Sequence, residues 1–261
     1  MNSSANFRTT ILIAGALFLS GLPCRADSRT EALLERAGRQ VELFWEQVPS
    51  FTCTETVVQE KISAKGKTEY KQESVFDYLA LTGGRENTLT VEELRLLQKK
   101  ARLKPSKPPL LDTNGFPTLL LIFHPAYRAS FQFELADGSA AGPVRQVRFE
   151  HIAGTRSTSA LMTRGKVYPL DLRGTAWIEA ESGAIQKISA NLVSPMKEIN
   201  IESFGIEVAY APLNLPADAS PRWLPSSAVI ELRTARQHWR NSHLYSRYKR
   251  FTVQSVETVS K

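Results

Sequence analysis

The sequence predicts an α+β fold, with a few helices near its start and an antiparallel meander after them. Three observations predict it. Apolar residues recur three and four apart in 28–48 and again in 90–103, which is helical periodicity. From about residue 125 onward, short runs alternate apolar and polar residues between turn signals such as Asp137-Gly138 and Ser182-Gly183. Strands are therefore segregated from helices, which argues against a parallel βαβ sheet. The 42% hydrophobic and 23% charged residues are those of a globular chain, so disorder is not the default.

Residues 1–26 are set apart from the fold. Met1–Arg8 is short, polar and basic, Thr9–Leu22 is almost wholly apolar, and no acid precedes Asp27. Cys24-Arg25-Ala26 places small residues at −3 and −1 of a cut after Ala26. This is the pattern of a secretory signal peptide. An uncleaved anchor would want about 20 apolar residues. A lipid anchor on Cys24 would want a small residue just before it, where Pro23 stands. The expectation is a signal helix over 1–26, cleavage near Ala26, and one α+β domain over 27–261, periplasmic or secreted.

The whole chain carries +7; losing Arg8 and Arg25 leaves +5. The excess is partly local, because Arg233–Arg250 holds six Lys/Arg and no acid. Cleavage would leave Cys53 as the one thiol, with no internal disulfide. Cys53 shares a strand face with Phe51, Glu55 and Val57 and is expected to pack as a small apolar group; a reactive or bridging thiol is the alternative.

Residues 28–48 read as a helix with Ser28 or Thr30 as N-cap and Pro49 as its stop. Residues 51–60 and 68–82 read as a hairpin around Ala64-Lys65-Gly66-Lys67. Residues 90–103 read as a second helix: Thr90 caps it, Glu92 and Glu93 suit its first turn, Lys99, Lys100 and Arg102 its last, and Val91, Leu94, Leu97 and Ala101 form a stripe. A connector with four prolines spans Lys104–Pro117, and Leu119–Phe123 is a short apolar run that reads as one buried helical turn or a strand, with helix preferred. Together 90–125 form a helical, Pro-rich cover. Strands are expected at 128–136, 144–152, 158–163, 167–181, 184–193, 199–210, 223–234 and 244–257.

The chemistry-bearing motifs are absent: no His-Glu-x-x-His, Cys-x-x-Cys, Gly-x-Ser-x-Gly, Walker loop or dinucleotide fingerprint occurs. His238 and His243 flank an expected hairpin tip, Trp239–Ser242, where they could bind a metal weakly. His151 lies near Ser157 and Ser159, but no acid partner can be named. Glu179 and Glu181 share a face with Trp177, as glycosidase carboxylates do beside an aromatic; a solvated strand face explains them as well. Arg236, Trp239, Arg240, Arg247 and Tyr248 mix basic and aromatic side chains, a candidate surface for an anionic lipid headgroup, a surface glycan or an acidic protein segment. A charged edge hairpin that resists aggregation explains the same residues. Export argues against nucleic acid as the partner.

One segment carries a family resemblance. In Tyr168–Ile188, Gly174, Trp177, Ile178, Glu179, Ser182, Gly183, Ile185 and Lys187 match a strand–turn–strand with Trp-Ile-acid, a Thr/Ser-Gly turn and a returning strand. It resembles the periplasmic lipoprotein-carrier-like proteins of the LolA/RseB type, over about a tenth of the chain. Phe51–Thr54 and Leu224–Arg233 also resemble segments of a group of exported bacterial proteins of no assigned activity. The carrier resemblance implies a long curved antiparallel sheet, an unclosed β-barrel-like meander covered by a few helices, whose concave apolar face holds acyl chains. The expected function is a non-enzymatic exported protein binding a lipid, acylated peptide or other hydrophobic ligand, with Phe131, Phe133, Leu170, Leu172, Ile188 and Leu192 lining that face. The same six residues would serve equally as ordinary core beneath the helices. The alternative is an envelope module that docks on a protein or membrane surface through the C-terminal hairpin. An exported hydrolase is the weakest reading, because no set of convergent titratable groups is visible. No catalytic residue, metal or cofactor is expected; the partners are a hydrophobic ligand or envelope protein, with peripheral membrane contact.

Overall fold

The computed structural model describes residues 28–84, 89–98, 111–113, 116–136, 142–214 and 221–251. The expected signal helix and the turn at Asp137-Gly138 lie outside them, as does most of the Pro-rich connector. Helix α1 is Ser28–Gln47. Its Leu33, Leu34, Ala37, Val41 and Phe44 form a buried stripe packed into the main core. Fully burying one large apolar side chain contributes about 1.5–3 kcal/mol, so docking rather than intrinsic propensity holds this helix. Pro49 closes it in a 3₁₀ turn, Val48–Ser50, that feeds the first strand.

Twelve strands follow among the described residues: β1 Phe51–Ser63, β2 Thr68–Gly83, β3 Thr90–Leu97, β4 Phe131–Leu135, β5 Val144–His151, β6 Ala160–Thr163, β7 Lys166–Pro169, β8 Leu172–Glu179, β9 Ile185–Leu192, β10 Ser203–Leu213, β11 Arg222–Arg233 and β12 Gln237–Arg250. Ten form one open antiparallel sheet in the order β3-β2-β1-β12-β11-β10-β9-β8-β5-β4. The N-terminal hairpin β1–β2 therefore joins the meander through the last strand. A 3₁₀ segment, Phe116–Phe123, packs with α1 on one face of this sheet, and helix α2, Pro125–Arg128, follows it.

That face is concave. Val91 and Glu93 on edge strand β3 line the same cavity as Leu172 on β8, seven strands away in the sheet. At about 4.8 Å per strand, a flat sheet would hold them more than 30 Å apart. The sheet must curl to bring them together.

Three expectations are corrected. Residues 90–97 are a strand, not the start of a helix. Val91, Glu93, Arg95 and Leu97 turn inward and Thr90, Glu92, Leu94 and Leu96 outward; two charged residues on the inner face masked the alternation. The expected strand 167–181 is two strands. β7 pairs only with β6, around an Arg164-Gly165 turn with φ of 51° and 74°, the positive-φ pair that tight hairpins require. The chain enters the main sheet at Leu172, beyond Pro169. Finally, Trp239–Ser242 is not a tip. It lies within β12, paired to β11 and β1, and the turn falls at Thr234–Arg236.

Candidate functional site

A buried polar cluster crosses the concave face from β3 over β2 to β1 and β12. β1 alternates Phe51, Cys53, Glu55 and Val57 inward, so one carboxylate stands in an apolar row with 0% exposure. On β12 the inward residues are Asn241, His243 and Tyr245. Register pairs Glu55 with Tyr245 and Val57 with His243, making Glu55 and His243 diagonal neighbours on one face. Arg95 of β3 donates from Nε to Glu55 Oε2 at 2.6 Å and from Nη2 to Oε1 at 3.1 Å. His243 Nδ1 lies 2.8 Å from Glu55 Oε1, and Thr113 Oγ1 lies 2.8 Å from His243 Nε2. Asn241 Nδ2 donates to Thr113 Oγ1 at 3.0 Å and to the Leu111 carbonyl at 2.7 Å. Gln59 donates to the same carbonyl, so strand side chains fasten residues 111–113 onto the sheet.

Around this core, Arg95 Nη2 sits 3.0 Å from Glu93 Oε2 and Tyr78 Oη donates to Glu93 Oε1 at 2.9 Å. Arg95 also lies over the Tyr78 ring at 5.4 Å, and Tyr78 meets Tyr245 edge-on at 5.4 Å. These groups are wired to one another in low dielectric, where each would be costly alone.

The electrostatics settle the protonation states. Burial pushes the Glu55 carboxyl up, but the hydrogen bonds from His243 and Arg95 outweigh it and leave the group below its ordinary value. Burial pushes His243 down, against the pull of Glu55, and the net shift is downward. Glu55 is thus a carboxylate and can only accept; the neutral imidazole donates from Nδ1 and keeps its Nε2 lone pair for the Thr113 hydroxyl.

Both shifts make acid destabilising. Below about pH 6.5 the unfolded chain protonates His243 while the folded chain resists. Below about pH 4.3 the unfolded chain also protonates Glu55, while the folded carboxylate holds out to lower pH. The unfolded state binds more protons in both windows. The denaturant midpoint is expected to fall steadily from pH 7 to pH 4; a flat or rising midpoint over that range would contradict the assigned states.

The six residues expected to line a ligand face all lie on the concave side, and five are buried in the core. Ile188 and Leu192 pack under the helical cover. Leu170 and Leu172 line a cavity of about 280 Å³ with Val91, Leu119, Phe204 and Ile206, together with the polar Glu93, Thr118 and Ser159. Phe131 and half-buried Phe133 border a separate open groove of about 1170 Å³ at the β4 edge. A third cavity, about 140 Å³, lies between α1 and β11 among Phe44, Phe51, Ile185, Tyr210 and Trp223. The hydroxyl of Tyr210 is buried with no hydrogen-bond partner among the described residues. The expected face is therefore partly filled core and partly open.

The expected interaction surface divides between the two faces of β12. Trp239 turns inward and packs against the core, and Tyr248 donates to the Pro225 carbonyl at 2.6 Å. Arg236, Arg240 and Arg247 are exposed, with Arg240 3.5 Å from Glu231. Arg247 has φ 54° at a bulge, where Thr52 pairs Lys249 and Thr54 pairs Ser246. The period of two separates basic from aromatic residues. His238 and His243 likewise share a strand but oppose in face, His238 lying near Glu231, so they do not converge. Among the described residues no group of three or more His, Cys, Asp or Glu could hold a metal ion, and no helix is long and apolar enough to cross a membrane.

The residues of the family-like segment have structural tasks. Gly183, at φ 79°, presses against α1; a Cβ there would stand 2.5 Å from the Arg36 carbonyl carbon. Arg36 Nε donates to Ala180 O at 3.1 Å, locking the same turn. Ser182 donates to the Glu179 carboxylate, and Lys187 lies 4.2 Å over the Trp177 ring. Glu181 is exposed on the turn, so Glu179 and Glu181 do not face a common cleft. Cys53 is buried as expected; burial, helped by the nearby Glu55 and opposed by a hydrogen bond with Tyr248, pushes its thiol up to about 12, which keeps it unreactive near neutral pH. His151 does find an acid: its Nδ1 lies 2.8 Å from Asp171 Oδ1 and its Nε2 3.2 Å from Thr155 Oγ1.

The groups that sequence reasoning missed are Arg95, Thr113, Asn241 and His243 in their joint role. The available signal was Glu55, a charge in an apolar row. No protein-family model matches the chain, and no curated protein matches it.

Proposed function

We propose that this chain is an exported binding protein that holds the apolar part of a lipid or acylated ligand inside its curled sheet, as the unclosed-barrel carrier fold would. The observation that carries the reading is the cavity of about 280 Å³ on the concave face, lined by Leu119, Leu170, Leu172, Phe204 and Ile206. An apolar cavity of about 150 Å³ suffices to admit benzene, so a short acyl segment is within reach. Glu93, Thr118 and Ser159 in its lining suit a polar head joined to an apolar tail.

The test is native mass spectrometry of the mature protein from its own envelope fraction, followed by organic extraction. A near-stoichiometric lipid or acyl peptide is expected, on a chain beginning at Asp27. Ile206→Trp, which fills the cavity, is expected to weaken retention about tenfold or more, equivalent to about 1.4 kcal/mol. A ligand-free chain that also fails to bind a fluorescent fatty acid would overturn the reading.

A further inference from the structure

We propose that Thr113, His243 and Glu55 form a hydroxyl-activating relay through which the chain accepts an acyl group from an ester onto Thr113. This stands apart from ligand carriage and rests on different residues. The geometry is that of a nucleophile, a base and an orienting acid. Thr113 Oγ1, His243 Nε2 and Nδ1, and Glu55 Oε1 are joined by two contacts of 2.8 Å. Thr113 is half-buried, whereas the imidazole and carboxylate behind it are buried. The hydroxyl thus stands on the solvent side of the base.

The hydrogen-bond directions favour activation. Glu55 fixes the tautomer with its proton on Nδ1, leaving Nε2 to accept. Asn241 Nδ2 donates to Thr113 Oγ1, which turns the hydroxyl proton toward the imidazole and leaves one oxygen lone pair for attack. Among the described residues, groups facing His243 include Glu55 from β1, Arg95 from β3, Asp112 from the segment 111–113 and Tyr245 from its own strand. Arg95 neutralises Glu55 and offsets its tendency to protonate the imidazole.

A second constellation shows what such a relay lacks when it is only structural. Thr155 Oγ1 donates to the Ile152 carbonyl at 2.6 Å, so its proton is committed to the backbone. Its acid, Asp171, has a side chain 54% exposed. Thr155 is the internal control.

In the step, Thr113 Oγ1 attacks the ester carbonyl carbon and its proton passes to His243 Nε2. The bond to the alcohol oxygen breaks, and the alcohol leaves with that proton. Water then attacks the acyl-threonine, its proton returning through His243, and the carboxylic acid departs.

The experiment treats the folded chain with p-nitrophenyl acetate, follows nitrophenolate release and maps the acetylated peptide. Acetyl on Thr113 is expected. Thr113→Val, which removes the nucleophile, should abolish labelling at that position and slow nitrophenolate release by about 100-fold or more, while Thr113→Ser restores both and Thr155→Val leaves both unchanged. The rate should rise with pH and level off below the ordinary imidazole value of about 6.5, following His243. Because His243→Gln can perturb folding, the half-buried Thr113 variants carry the decision. Acetyl found only on lysines, labelling unchanged by Thr113→Val, or a rate still climbing above neutral pH would each overturn the relay.

Discussion

Glu55→Ala is expected to lower the unfolding free energy by about 3–5 kcal/mol, the usual loss when one partner of a buried ion pair is removed. The substitution strips two hydrogen bonds from Arg95 and one from His243, beside an imidazole that is buried from water. Arg95 then faces Glu93 alone, and the imidazole Nδ1–H loses its acceptor. Most of the loss comes from stranding these groups, not from the Coulombic worth of the pair. Glu55→Leu combined with Arg95→Met and Glu93→Gln, which leaves no carboxylate without its cation, should therefore recover much of it, since an apolar pair needs no partners. Urea titration of the two variants separates the explanations: equal instability in both would mean that Glu55 matters for shape rather than charge.

Gly174→Ala ranks next. A Cβ at Gly174 would stand 2.0 Å from the Ser189 carbonyl oxygen and 2.8 Å from Phe149 Cζ. The carbonyl belongs to β9, bonded to β8 on one side and β10 on the other, so it cannot swing away as a side chain would. Relief requires the β8–β9 spacing to open in mid-sheet. A loss of about 3 kcal/mol, at the upper end for an overpacked site, would lower Tm by about 6–12 °C in a domain of this size. Gly205 offers the contrast. There a Cβ would meet the Asn191 side-chain oxygen at 2.9 Å, which can rotate off. A thermal melt in which Gly205→Ala costs as much as Gly174→Ala would refute the backbone explanation.

The parts of the fold that could be read from the sequence are those where one physical period dominates. The α1 stripe, the β1–β2 hairpin around Gly66, and the turn at Ser182-Gly183 were legible because local chemistry and burial agree there. β3 was illegible for the opposite reason. Its inward Glu93 and Arg95 serve a buried network and spoil the alternation, while its outward Leu96 stands 72% exposed. The site was harder still. Thr113 and His243 are 130 residues apart, and Glu55 and His243 are 188 apart. Only the pairing of β1 with β12 brings them together, and no local pattern announces that register. The charge of Glu55 in an apolar row was the one visible trace, and it names no partner.

The pairing of β1 with β12 bears on how the chain folds. Phe51 lies opposite Arg250 and Ser63 opposite Gln237, so the middle of the sheet is closed by a loop of nearly the whole domain. High sequence separation of this kind slows folding, and here it also orders events during synthesis. The β1–β2 hairpin leaves the ribosome before the rest of the sheet, with one flank unpaired and Glu55 awaiting a histidine made 188 residues later. The sheet can assemble from both sides, but its seam cannot seal until β12 emerges. A chain stopped before Gln237 would keep an open strand edge and an uncompensated carboxylate at its centre, an opening for quality-control proteases and for pairing with another nascent copy.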